Sequence, residues 1–263
     1  MNELPDKSLR AAILRMEGTN NEAEAYRSFR EVGIEPKYVH IWELEHKKTN
    51  LEDFNAVFIP GGFSAGDYVR AGAIFALRLQ AAAGKSIRRL AEDGVPIIGP
   101  CNGFQILAES GIIGTSYGKK DVALDVNESG KFECRTIYVK YRGGNRMLSG
   151  IPVNTLFEAP VAHKEGRLKF LGGKTPAELG IENRVAFTYE NPEGGEITYP
   201  WNPNGSVGNI AGITGEFENV IGLMPHPERI FYDYQVSPEG RASGMLPFGK
   251  LFFSSIRNYM SAR

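Results

Sequence analysis

Residues 95–111, VPIIGPCNGFQILAESG, decide the fold. Val95-Pro96-Ile97-Ile98 has the apolar, β-branched character of a buried strand, and from Asn102 to Glu109 the apolar residues recur at helical spacing. Between them, Gly99-Pro100-Cys101-Asn102-Gly103 leaves a single corner at which strand becomes helix. Such a corner strains the residue on it, exposes that side chain and frees the next backbone N–H. Gly99 and Gly103 let the backbones pass closely. Cys101 stands at the start of the helix, where the dipole favours a thiolate. That position suits a nucleophile; the competing reading is a small buried thiol, the commoner fate of a free cysteine.

Working outward, the same alternation of strand and helix recurs. Ala11 to Leu14, Lys37 to Trp42 and Ala56 to Ile59 read as short strands, Asn20 to Val32 as a helix stopped by Gly33, and Ala71 to Asp93 as a long helix closed by Gly94. This repetition predicts an α/β fold: a mostly parallel central sheet with helices on both faces, and ligands at the carboxyl ends of the strands. The second half reads differently. Asp121 to Tyr141 and Arg184 to Thr198 look extended with glycine-rich turns, predicting a smaller antiparallel region beside the main sheet. Val220 to Met224 is a further buried strand, and a last helix is expected over Phe248 to Tyr259. No repeat, charge block or low-complexity linker divides the chain, so residues 1–263 read as a single domain.

Composition excludes several functions. Of 263 residues, 42% are hydrophobic and 23% charged, and the net charge of −1 offers no attraction for nucleic acid or an anionic membrane. The start, MNELPDKSLR, has no apolar core and does not read as a signal peptide. No apolar run approaches the roughly 18 residues that span a bilayer. Cys101 and Cys134 are the only thiols, too few for a disulfide framework, and a cytoplasmic location is expected.

Two further segments bear on Cys101. His226 directly follows the strand ending at Met224, which places it at the same sheet edge, and histidine titrates where a proton shuttle needs it. Glu228, two residues on, is placed to hold the imidazole in one tautomer, completing a Cys-His-acid triad. Pro60-Gly61-Gly62-Phe63-Ser64 also follows a strand. Gly62 or Phe63 would donate an N–H to a developing oxyanion beside the N–H of Asn102, and the sequence leaves open which.

At these residues the chain resembles the class I glutamine amidotransferase domains. GPCNGFQ, PGGFSAGDYVRAGAI, APVAHKEGR, WNPNGS and MPHPER carry the resemblance, which runs from Ala11 to Arg229. The PGGFSAGDYVRAG and NPNGS segments select, within that class, the glutaminase subunits of a purine-biosynthetic synthase. The resemblance implies that Cys101 attacks the side-chain amide of glutamine to form a thioester, that His226 protonates the departing ammonia and then activates water, and that Glu228 orients it. It implies substrate contacts at Gln105, Ser64 and His163, with Glu165 nearby. It also implies ammonia delivery to a synthase subunit that converts formylglycinamide ribonucleotide to the amidine, often with a small third subunit, and little glutaminase activity without them. No cofactor or metal is expected in this chain, which has no P-loop; ATP and Mg²⁺ are expected in the synthase partner.

The chain departs from the family pattern in three places. Pro100 replaces a β-branched residue before the nucleophile, Glu17-Gly18-Thr19-Asn20-Asn21 replaces Pro-Gly-Thr-Asn-Cys, and Lys164 replaces a glycine that would serve a positive φ. Other features carry plainer expectations: Cys134 as a core thiol, His40 and His46 without partners or function, Arg88-Arg89 and Lys119-Lys120 on solvated faces. Asn202 to Ser206 reads either as a turn cluster or as a loop facing the synthase, and Phe231 to Pro247 as packed on the core or touching the partner. Other classes remain in competition. A cysteine-elbow protein of the protease or stress-response type predicts histidine after the cysteine, where this chain has Asn102. A silent scaffold predicts a broken triad, and amidotransferases of other pathways lack the two selecting segments.

Overall fold

The computed structural model describes residues 9–263; the reading of Met1 to Ser8 as the start of a chain without a signal peptide lies outside the described residues. The first half is βα repetition: β1 (Arg10–Arg15), α1 (Glu22–Glu31), β2 (Glu35–His40), α2 (Ile41–Glu45), β3 (Ala56–Phe58), α3 (Ala73–Glu92), β4 (Ile97–Pro100) and α4 (Asn102–Glu109). Gly33 and Gly94 end α1 and α3 with φ of 77° and 78°, the left-handed turn for which glycine is suited. The second half contributes β5 (Val122–Val126), β6 (Glu133–Tyr141), β7 (Leu156–His163), β8 (Glu165–Phe170), β9 (Val185–Glu190), β10 (Ile210–Thr214), β11 (Val220–Leu223), the short α5 (Pro238–Ala242) and the closing α6 (Phe248–Ser261).

Among the described residues, nine strands form one sheet in the order β2-β1-β3-β4-β11-β10-β9-β6-β7, and β5 pairs with β8 separately. The pairs from β2 through β11 are parallel. Those from β11 through β7 are antiparallel. The antiparallel strands predicted beside the main sheet therefore extend it, and only β5-β8 stands apart.

Side-chain alternation builds two cores, one on each face. Ala12 and Leu14 of β1, Val57 of β3 and Ile97 of β4 pack with α2, α3 and α4. Their neighbours Ala11, Ile13, Ala56, Phe58 and Ile98 pack with α1 and α6, where Phe29, Phe58 and Phe253 meet in edge-to-face and tilted contacts. Both faces are buried, so the parallel strands read as continuous apolar runs. Among the described residues no helix is long and apolar enough to cross a membrane.

Several expectations are corrected. The segment Lys37 to Trp42 does not stay extended: the His40 ring accepts from the Trp42 N–H and the Glu43 carboxylate accepts from the His40 N–H, which starts α2. His46 stacks on Trp42, so both histidines have partners and serve this turn. The strand from Arg184 stops at Glu190, where Asn191 to Gly195 turns through two glycines with positive φ. Cys134 is exposed, because the buried face of β6 carries Glu133, Ile137, Val139 and Tyr141 and leaves residue 134 on the other side. Lys164 is not among the positive-φ residues, so lysine replaces glycine there without backbone strain. In the final segment Ile230, Phe231 and Val236 are buried in the core, while Tyr234 and Leu246 are exposed.

Candidate active site

The corner at Cys101 is strained: φ is 50° and ψ is −111°, a conformation rare for a residue with a Cβ. Three glycines make the corner sterically possible. A Cβ on Gly99 would come within 2.6 Å of the Gly103 carbonyl carbon, one on Gly103 would strike the Ile59 carbonyl, and one on Gly222 would enter the Phe104 ring. The Cys101 N–H is anchored to the Leu223 carbonyl at 2.7 Å, and its Sγ lies 3.5 Å from the Ala162 carbonyl oxygen.

β4 and β11 are adjacent and parallel, with Pro100 opposite Leu223, so the residues following each emerge at the same sheet edge. This register brings His226 to Cys101. The His226 N–H is tied to the Pro160 carbonyl of β7 at 2.9 Å, and its ring Nδ1 meets Glu228 Oε1 at 2.6 Å. All three side chains are buried, at 4%, 1% and 3% exposure for Cys101, His226 and Glu228. Burial disfavours a charged ring, but the Glu228 carboxylate and the Cys101 sulfur outweigh it and push the imidazole up to about 10. Held as an imidazolium beside a sulfur nucleophile, His226 can donate a proton to a leaving amine.

The Gly61-Gly62 turn is held by residues 17–21. Asn20 N–H donates to the Gly61 carbonyl at 3.1 Å and Phe63 N–H to the Gly18 carbonyl at 2.8 Å. The Phe63 N–H is therefore engaged, which corrects its candidacy as an oxyanion donor. The N–H groups of Gly62 and Asn102 have no hydrogen-bond partner among the described residues, and Gly62 lines the cavity in front of Cys101. Gly62 has φ of 143°, and a Cβ there would sit 2.6 Å from the Asn20 nitrogen, so the position requires glycine. Gly61 packs against the site itself: a Cβ would lie 2.6 Å from His226 Cε1 and 3.4 Å from Cys101 Cβ.

Cys101 borders two cavities. One, of about 310 Å³, is lined by Asp67, Gln105, His163 and Glu165 among others. The other, of about 240 Å³, is lined by Asn20, Asn21, Glu24, His226 and Arg229; Gly62, Phe63, Phe132 and Ala162 border both. Gln105 is held from both ends, its Oε1 accepting from Asn102 Nδ2 at 2.8 Å and its Nε2 donating to the Glu165 carbonyl. His163 lines the larger cavity, and burial with the nearby His226 holds its ring down to about 3. Ser64 does not line either cavity: it is buried, and its N–H donates to Asn102 Oδ1 at 3.3 Å, so it braces the elbow.

Asp67 and Asn127 escaped the sequence reading. Asp67 ends a run of positive φ at Ala65, Gly66 and Asp67, and burial, then the Glu165 carboxylate, push its carboxyl up to about 6. Asn127 sits in a turn-forming stretch whose composition gives no sign of a site. The loop Asn202 to Ser206 proves internal, since Asn204 is fully buried and donates to the Gly166 carbonyl and Tyr189 hydroxyl at 2.8 and 2.9 Å. It props the stretch from Gly166 to Leu168 from behind, with the Leu168 N–H donating to Ser206 Oγ at 2.9 Å.

Fold and site together define a glutamine amidotransferase of class I. The chain belongs to the family of CobB/CobQ-like glutamine amidotransferase domains, whose model matches residues 8–260. It is similar to the phosphoribosylformylglycinamidine synthase subunit PurQ of Picrophilus torridus, with 49% identity over 95% of this chain and 98% of that protein. The PurQ subunit of Archaeoglobus fulgidus is 39% identical over 97% and 98% of the two chains. Among solved structures it is similar to a chain of PurLQS from Thermotoga maritima, with a TM-score of 0.74 and 31% identity over 96% of this chain and 99% of that one.

Proposed function

We propose that this chain is the glutaminase subunit of phosphoribosylformylglycinamidine synthase, hydrolysing glutamine to glutamate and passing ammonia to an ATP-dependent synthase subunit in purine biosynthesis. The observation that carries the chemistry is the buried His226-Glu228 pair just past the end of β11, the strand next to the cysteine elbow.

In this reading the Cys101 sulfur attacks the side-chain carbonyl carbon of glutamine, and the oxyanion that forms is received by the N–H groups of Gly62 and Asn102. His226 gives its proton to the amide nitrogen as the C–N bond breaks, leaving ammonia and a glutamyl thioester. Neutral His226 then takes a proton from water, the hydroxyl adds to the thioester, and the C–S bond breaks to release glutamate. Glu228 keeps the ring oriented through both halves. Gln105 and His163 contact the substrate in the larger cavity. The chain supplies this chemistry from its own side chains, while ATP and Mg²⁺ are used by the synthase partner; a small third subunit completes the complex, and the setting is cytoplasmic.

The test is glutamate release from glutamine in the presence of the synthase partner, comparing the native chain with Cys101→Ala. Release that vanishes in the variant is expected. Equal silence of both with a competent partner overturns the reading. Release is also expected to rise when the partner is added, and equal rates with and without it would remove that coupling.

A further inference from the structure

Asn127 lies in the loop between β5 and β6, outside the triad, and its buried side chain is fully engaged. Nδ2 donates to the carbonyls of Lys131 and His163 at 2.9 and 2.8 Å, and Oδ1 accepts the Gly166 N–H at 3.1 Å. Backbone carbonyls only accept and backbone N–H groups only donate, so these three contacts fix which end of the amide is oxygen. The same Oδ1 lies 3.1 Å from His163 Nδ1. An oxygen of this kind can only accept, so Nδ1 carries the proton and Nε2 holds a bare lone pair.

That lone pair has no partner among the described residues. His163 is 2% exposed and Nε2 is buried without a hydrogen bond among the described residues, although the ring lines the cavity beside Cys101. Buried polar atoms are normally satisfied, so an orphan on a cavity wall points to a ligand donor. Burial holds the ring neutral well below physiological pH, which keeps the lone pair available. Gly166 closes the back of the ring, since a Cβ there would come within 2.5 Å of Nδ1.

We propose that Asn127 is a positioning residue that fixes the tautomer of His163, so that Nε2 accepts a hydrogen bond from an N–H of the bound amino-acid substrate. The inference rests on the cavity being the glutamine site. Glutamine offers two such groups, its α-ammonium and its side-chain amide, and either satisfies the lone pair. A contact to the amide would separate substrate from product, because glutamate carries no N–H at that end.

The full chain has four histidines, so ¹⁵N-histidine labelling of a Cys101→Ala variant resolves each ring without turnover. The expected result is a protonated Nδ1 and a bare Nε2 for His163, with the Nε2 resonance shifting when glutamine saturates the site. With glutaramate, which is glutamine without its α-ammonium, a retained shift assigns the amide as donor and a lost shift assigns the ammonium. In kinetics with the synthase partner, Asn127→Asp places a carboxylate against Nδ1 and draws a second proton onto the ring. Its kcat/KM is expected to fall at least 10-fold below the native chain at pH 6 and to recover toward pH 8. A protonated Nε2 in the native tautomer, an Nε2 unmoved by saturating glutamine, or an Asn127→Asp loss independent of pH overturns the proposal. If Asn127→Asp fails to fold, the resonance measurement still decides. Absence of both glutamine binding and glutamate release overturns the functional reading itself, and with it this one; binding with an unmoved Nε2 overturns this one alone.

Discussion

His226 Nδ1 and Glu228 Oε1 lie 2.6 Å apart in surroundings that leave the two residues 1% and 3% exposed, so a buried carboxylate, together with the Cys101 sulfur, keeps the proton on the imidazole. Replacing Glu228 with Gln keeps the shape and removes the charge that holds the ring as an acid. The expected loss is on the order of 10⁴-fold in kcat with a smaller change in KM, by analogy with losses seen when the acid of other nucleophile-histidine-acid triads is neutralised. Steady-state glutamate release with the synthase partner measures it, and a loss confined to KM would argue against an orienting role.

The same contact links stability to pH. The folded value for His226, about 10, lies above its ordinary 6.5. The stabilisation it contributes is therefore fully present below pH 6.5 and is lost as pH rises through 10. Denaturant midpoints of the native chain and Glu228→Gln should converge between those limits, the difference being largest near pH 6.

Asp67 is likewise raised, so its effect also makes stability fall as pH rises, but as a cost acquired rather than a gain lost. Burial and Glu165 raise its carboxyl from 3.8 to about 6, so the charged form costs stability above pH 6 and the cost disappears as pH falls toward 3.8. Asp67→Asn should stabilise the fold at pH 8 by about 1 kcal/mol, allowing for solvent screening of a half-buried group. The advantage should be absent at pH 4 in thermal melts.

Gly61 has no positive φ, so alanine is compatible with its backbone, but the added methyl would lie 2.6 Å from His226 Cε1. Gly61→Ala should fold and lose on the order of 10²-fold in kcat, the usual penalty for displacing a catalytic group by about 1 Å. An active variant with native kcat would show that the ring has room to move.

The two thiols should separate by accessibility. Cys134 is exposed and Cys101 is 4% exposed. A bulky disulfide reagent should modify Cys134 first with activity retained, and Cys134→Ser should abolish that fast phase while leaving glutaminase activity unchanged. Inactivation that accompanies the fast phase would reverse the assignment.

The parallel half of the fold was readable because its strands are buried on both faces and its helices end on glycines; α4 falls on Asn102–Glu109, the limits that the apolar spacing predicts. The elbow was readable for the same reason, since Gly99 and Gly103 mark a close backbone approach. The antiparallel half was less so. β7 and β8 mix polar and apolar residues under tertiary constraints, and nothing local shows that the short apolar β10 pairs with β11 rather than standing apart. The oxyanion donors were ambiguous in sequence because the choice between Gly62 and Phe63 depends on Gly18, more than forty positions earlier. Asn127 was invisible for a similar reason: its importance lies in four atoms brought to it by Lys131, His163 and Gly166.

Insertion of β11 beside β4 sets an order of events during synthesis. The strand and helix that flank Cys101 have both been made once residue 109 is added, yet the strand that anchors the corner and brings the base is more than a hundred residues downstream, and its neighbour β10 is closer to it in sequence than β4 is. Pairings of long sequence separation form late in folding. A nascent chain therefore carries Cys101 as a dormant thiol without its proton partner, and hydrolytic competence arrives only when the carboxyl-terminal part has emerged and docked. A truncated product of interrupted translation would keep half of the scaffold and be unable to consume glutamine.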